Sequence, residues 1–215
     1  MEIEILKVGE LETNCYLIIK DGKCLIIDPG ADENYIVERI KNLNVEPVAI
    51  LITHYHPDHI GAKDRLKEIY NIEEYGYENL FEERVTIFPF TFNVIYTPGH
   101  TKDSISFYFE SYDIMFTGDF LFKESIGRTD FDTSSYNDML KSIAKIKMYE
   151  YEEFYRNCTQ PINAIWIGSG ITDQYTIKCS TYNKETRAQI PNDFGYKVDR
   201  GNAIQIKVLD FYKKD

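Results

Sequence analysis

The sequence predicts a layered α/β protein. Short, β-branched apolar runs of strand length recur along the chain, and stretches with helical periodicity stand between them. Length agrees, because 215 residues can bury one substantial core and lie near the upper size of a single domain.

Taken in order, residues 3–8 alternate polar and apolar side chains and read as a half-exposed strand. Residues 15–19 and 24–27 are more continuously apolar, and Asp21-Gly22 between them suits a hairpin turn. Asp28-Pro29-Gly30 then ends the second run in a tight turn. Asp28 either closes that turn through its own backbone or orients a neighbouring side chain. Over 33–43, Ile36, Val37, Ile40 and Leu43 share one helical face. Residues 48–52 form a short apolar run of the kind expected in a buried strand. Leu66, Ile69 and Tyr70 mark a second amphipathic helix over 62–70, and the acidic, aromatic stretch 71–84 reads as loop. Strands are expected at 85–88, 92–96, 105–109 and 114–116, followed by a helix over 135–148 with Met139, Leu140, Ile143 and Ile146 inward. From about 149 the chain turns polar. The run 162–167 holds its single tryptophan, and 203–211 alternates like a closing strand.

Composition narrows the function. Apolar content of 43% and charged content of 27% are ordinary for a globular protein. A net charge of −11 argues against nucleic acid as a partner, whose binding surfaces are usually basic. No apolar run approaches the roughly 18 residues of a membrane span, and residues 1–10 carry acidic groups where a signal peptide would carry basic ones. A cytoplasmic location and no membrane partner are expected. The four cysteines form no Cys-x-x-Cys pair; Cys15 and Cys24 fall in apolar runs as small hydrophobes.

Chemistry concentrates after the run at 48–52. Thr53 is followed at once by His54, His56, Asp58 and His59. His54 and His56 have the period that places side chains on one face of extended backbone. Pro57 then bends the chain, so that Asp58 and His59 can approach the same point from another side. Imidazole and carboxylate donors suit zinc, and also iron or manganese. The chain has four histidines in all, and the fourth, His100, lies in Thr97-Pro98-Gly99-His100-Thr101 directly after another strand-like run. Asp119, in Thr117-Gly118-Asp119, repeats the pattern of a carboxylate at a strand end.

These motifs, with Gly127-Arg128-Thr129-Asp130, the early Thr13-Asn14-Cys15-Tyr16 and Asp28-Pro29-Gly30, resemble the metallo-β-lactamase fold superfamily, in particular its glyoxalase II-like branch. The resemblance runs from the N-terminus to about residue 148. It implies a four-layer αβ/βα sandwich, one domain over 1–215 with an atypical tail from about 149. It also implies that His54, His56 and His100 hold one metal, that Asp58 and His59 belong to a second, and that Asp119 bridges them. Asp58 is at the same time the candidate catalytic carboxylate. Two zinc ions fit the family pattern, with iron or manganese as alternatives. The implied reaction is attack of a metal-held hydroxide on a small-molecule acyl thioester or related activated acyl group. The family's late histidine is replaced here by Ser169, with Asp173, Cys158 or Cys179 as other donors nearby in sequence. Two alternatives remain open: a mononuclear iron oxidoreductase of the persulfide dioxygenase type, using His54, His100 and Asp119, and a non-catalytic member that has lost a ligand. Arg128 either meets an anionic substrate or pairs locally.

Overall fold

The alternation of side chains along each strand decides which layer they enter. In the computed structural model the described residues are 1–122, 125–157, 163–167, 175–178, 196–198 and 204–206, with side chains through residue 146. The first sheet holds β1 (Glu2–Val8), β2 (Thr13–Lys20), β3 (Lys23–Ile27), β4 (Glu46–Leu51) and β5 (Glu73–Tyr75), in that order. β1, β2 and β3 pair antiparallel, while β3, β4 and β5 pair parallel. Parallel neighbours need crossovers. They are supplied by α1 (Glu33–Leu43), and by α2 (Pro57–Ile60) with α3 (Lys63–Tyr70).

The second sheet is built from β6 (Arg84–Ile87), β7 (Phe90–Tyr96), β8 (Ile105–Phe109) and β9 (Ile114–Phe116), antiparallel in sequence order. A short ribbon of β10 (Leu121–Phe122) and β11 (Ser125–Ile126) follows, then the long helix α4 (Tyr136–Asn157). β12 (Asn163–Ile167) joins β9 in parallel and β13 (Tyr175–Lys178) pairs with β12. β14 (Tyr196–Val198) and β15 (Ile204–Ile206) form a separate ribbon.

Successive residues of one strand point into different cores. Tyr16, Ile18, Leu25, Ile27, Ala49 and Leu51 face the second sheet and meet Phe92, Phe107, Phe109 and Phe116. Their neighbours Cys15, Leu17, Cys24, Ile26 and Ile50 face the other way, onto Ile36 and Ile40 of α1 and Leu66 of α3. Across the molecule, Ile95 and Met115 point outward from the second sheet onto Met139, Ile143 and Ile146 of α4. Helices, sheet, sheet and helix make the four expected layers. Burying each large apolar side chain contributes about 1.5–3 kcal/mol, so the central aromatic layer is a main source of stability.

Most expected elements form where periodicity put them, and Cys15 and Cys24 are buried free thiols. One expectation is corrected. Residues 71–84 are not all loop, because β5 lies there as an edge strand parallel to β4. Glu73 and Glu74 disguise it. Being at an edge, the strand tolerates charge, and Glu74 accepts from Lys63 and Lys67 at 2.8 and 3.1 Å. The last helix also continues past 148 to Asn157. Of the strand expected at 203–211, β15 covers Ile204–Ile206. Cys158, Ser169, Asp173 and Cys179 lie outside the described residues.

Candidate metal centre

β3 and β4 run parallel, so their C-terminal ends lie at the same sheet edge, where α/β proteins commonly place their sites. Asp28 follows β3 and the histidine cluster follows β4. From the second sheet, His100 follows β7 and Asp119 follows β9. The structure brings all six sequence-identified residues to this edge.

Asp28 organises the first half. It is fully buried with a left-handed φ of 50°, a conformation Asp tolerates better than most residues. Its Oδ1 accepts from the Thr53 backbone N–H at 2.8 Å, and its Oδ2 from the Thr53 hydroxyl at 2.6 Å. The same Oδ2 lies 3.0 Å from His59 Nδ1. Of the two roles weighed for Asp28, orienting a histidine is the one these contacts show, and the same carboxylate ties its turn to the one at Thr53. Gly30 makes the approach possible, because a Cβ there would fall 1.6 Å from the Asp58 carbonyl oxygen.

These contacts fix the imidazole tautomers. With its proton given to Asp28, the Thr53 oxygen accepts from His54 Nδ1 at 3.2 Å. His100 Nδ1 donates to the Arg128 carbonyl at 2.9 Å. The lone pairs of His54 Nε2 and His100 Nε2 are thereby left for the centre. Both point at His56 Nδ1, at 3.1 and 3.0 Å. Three nitrogens around a tetrahedral cation, each about 2.0–2.1 Å from it, stand close to this far apart. Burial and the neighbouring imidazoles hold His54 well below the usual histidine range. Burial also lowers His100, against the pull of Asp119. Neutral imidazoles are the form that binds metal.

The second group lies alongside. His54, His59 and Asp119 also bring donor atoms within 4.8 Å of one another. His59 Nε2 is buried without an aligned hydrogen-bond partner, although Asp119 Oδ1 is 3.3 Å and Asp58 Oδ2 3.5 Å away. Burial pushes His59 down, but the carboxylates of Asp28 and Asp119 outweigh it and raise the imidazole to about 10. An unsatisfied buried nitrogen beside two carboxylates fits a cation. Asp119 turns its other oxygen, Oδ2, toward His100 Nε2 at 3.6 Å, so its carboxylate straddles the two groups. Asp58 flanks the second group, and its Oδ2 accepts from Thr13 Oγ1 at 2.9 Å.

Asp119 is held by its backbone. Gly118 has φ +53°, and a Cβ there would meet Thr53 Oγ1 at 2.2 Å. Glycine alone permits that left-handed turn against Thr53.

Some participants were not evident in the sequence. Arg128 acts through its carbonyl on His100, while its side chain makes two hydrogen bonds to Asp130, at 2.9 and 2.8 Å. Of the two roles weighed for it, local pairing is the one observed. Phe131 stands edge-on to His56 and His100, with ring centroids 5.3 and 5.6 Å away. A lone phenylalanine in a polar loop gave no signal.

The sequence and the fold are similar to known proteins. The family model described as the metallo-beta-lactamase superfamily matches residues 8–84 and 81–156. Hydroxyacylglutathione hydrolase GloC of Haemophilus influenzae is 33% identical over 66% of this chain and 82% of its own length. A hydroxyacylglutathione hydrolase of Pectobacterium carotovorum is 26% identical over 99% of this chain and 90% of its own. Among solved structures, BLEG-1 B3 metallo-beta-lactamase is similar with a TM-score of 0.68 at 29% identity, over 81% of this chain and 94% of that one. With the family model spanning most of the chain and the histidine–aspartate cluster gathered at one edge of a four-layer sandwich, the chain belongs to the metallo-beta-lactamase superfamily.

Proposed function

We propose that the chain is a metal-dependent hydrolase of an acyl thioester or a related activated acyl substrate. One observation carries the reading: two donor groups share His54, and Asp119 turns one oxygen toward each. A shared anion suits two neighbouring cations. Two relatives named hydroxyacylglutathione hydrolase support the substrate class.

In this reading His54, His56 and His100 hold one cation, and His59, Asp58 and Asp119 serve the second. The ions are zinc, with iron or manganese as the other metals this donor set accepts. Cations held by these residues would acidify water toward neutral pH and polarise an acyl carbonyl. The chain's own residues orient that chemistry. Asp28 and Thr53 fix the His54 and His59 rings, and the Arg128 carbonyl fixes His100. Asp58, with Oδ2 held by Thr13 beside the second group, is the carboxylate assigned to take a proton from the attacking water.

Metal content per chain and thioester cleavage, measured with and without chelator, test the proposal. Two zinc ions per chain and chelator-sensitive hydrolysis are expected. A fully metal-loaded protein that cleaves no thioester would sink the reading. A second reading has its own observation: His100 Nε2 and Asp119 Oδ2 stand 3.6 Å apart, and His54 shares a donor group with each of them, which supplies the two histidines and one carboxylate of a mononuclear iron site. One iron per chain with oxygen uptake on a persulfide would favour that oxidoreductase.

A further inference from the structure

Phe131 is the one large apolar side chain among the described residues whose ring packs on the histidines of the centre while more than a third of it, 38%, stays exposed. Among the described residues, other exposed aromatics such as Phe88 and Phe81 do not pack on these histidines. The surrounding turn is tied to His100 at several points. His100 Nδ1 donates to the Arg128 carbonyl at 2.9 Å, and Ser134 Oγ donates to the His100 carbonyl at 2.6 Å. Phe131 N–H donates to Ser134 Oγ at 3.2 Å, and Ser135 N–H to the Gly99 carbonyl at 2.9 Å. The Arg128 guanidinium lies 4.6 Å from the Phe131 ring centroid while Asp130 clamps it in two hydrogen bonds. A cation on an aromatic face, itself held by a carboxylate, fixes the ring.

Holding an aromatic ring half in water beside the reacting centre forgoes apolar burial. That cost is offset if a ligand covers the ring. Arg128 is engaged with Asp130, so the turn offers an incoming molecule an apolar surface rather than a free charge. We infer that Phe131 is a specificity-determining residue, a rigid platform for the acyl substituent, and that it selects thioesters whose acyl group carries an apolar, above all aromatic, side chain. The inference rests on the hydrolase reading for its reaction. The platform itself is a binding property and can be tested apart from catalysis.

The experiment uses the zinc-loaded full chain. Phenylacetate and acetate are titrated calorimetrically into the unmodified protein, Phe131→Leu and Phe131→Ala, with zinc content measured on each. Cleavage of the acetyl and phenylacetyl thioesters of one thiol is followed in parallel. The unmodified protein should bind phenylacetate roughly tenfold or more tighter than acetate, within the range a filled apolar pocket gives. Phe131→Ala should abolish the preference with zinc content unchanged, and Phe131→Leu should keep part of it. In cleavage the loss should appear as a higher KM for the phenylacetyl thioester, so that the phenylacetyl-to-acetyl ratio of kcat/KM falls. No preference in the unmodified protein, or one that survives Phe131→Ala, would overturn the platform. So would loss of zinc in step with loss of binding, because Phe131 would then be a shield for the histidines. A Phe131-dependent preference without cleavage of either thioester would uphold the platform and remove the hydrolase reading.

Discussion

The two donor groups at the sheet edge share His54 yet are built differently. The group of His54, His56 and His100 is all nitrogen. His56 Nδ1 stands 3.1 and 3.0 Å from the facing nitrogens of His54 and His100, and hydrogen bonds on the far side of those two rings aim them inward. The group around His59 mixes nitrogen with the carboxylates of Asp119 and Asp58, and its spacings are 3.3–3.5 Å. There the buried imidazole is held charged by Asp28 and Asp119. The first group is shaped for a cation before one arrives; the second must exchange a proton for it. Occupancy should therefore be unequal, with the first group filling at lower metal concentration.

The strongest break in the comparison is His54→Ala, because His54 belongs to both groups. Metal stoichiometry by elemental analysis should fall toward zero. Thioester cleavage should drop by more than the roughly 10–100-fold typical of losing an outer partner. Next comes Gly118→Ala. Its new Cβ would meet Thr53 Oγ1 at 2.2 Å in a left-handed turn, so thermal unfolding should show a loss of about 1–3 kcal/mol. Because Asp119 shifts with it, both groups should lose affinity.

Asp28→Asn sharpens the difference between the groups. The amide removes an acceptor from the buried contacts to Thr53 and His59. Competition titration with a chelator should show the second cation weakened roughly 10–100-fold and the first affected much less. Equal weakening of both would show that Thr53 passes the disturbance on to His54. The smallest effect is expected from Thr13→Val, which removes a single hydrogen bond to Asp58. Second-site affinity should fall only several-fold, matching about 0.5–1.5 kcal/mol, with the first site unchanged.

Much of the centre was legible in the sequence, because metal donors placed at strand ends are distinctive in both type and spacing. His54 and His56 sit on the turn that leaves β4, Asp58 lies in the first turn of α2, and Pro57 opens that helix where a proline's missing N–H costs nothing. The four layers were legible for a related reason: period-two alternation sorts Tyr16 from Cys15 and Leu25 from Cys24 onto opposite faces. What escaped depended on contacts distant in sequence. β5 is recognisable as a strand only beside β4, since its own residues include two glutamates. Arg128 acts through a carbonyl, which no residue type announces. Phe131 matters through the rings beneath it, 31 and 75 positions away along the chain.

The donors come from both sheets: His54, His56 and His59 from the turn after β4 in the first, His100 and Asp119 from the ends of β7 and β9 in the second. A cation seated among them is therefore a rivet through the sandwich, and its binding energy is linked to the docking of one sheet on the other. At a free concentration 100 times its dissociation constant, a ligand specific for the folded form adds about 2.7 kcal/mol to global stability. Stripping the metal should accordingly lower the melting temperature of the whole molecule and raise amide hydrogen exchange in both sheets together, rather than loosening one turn alone.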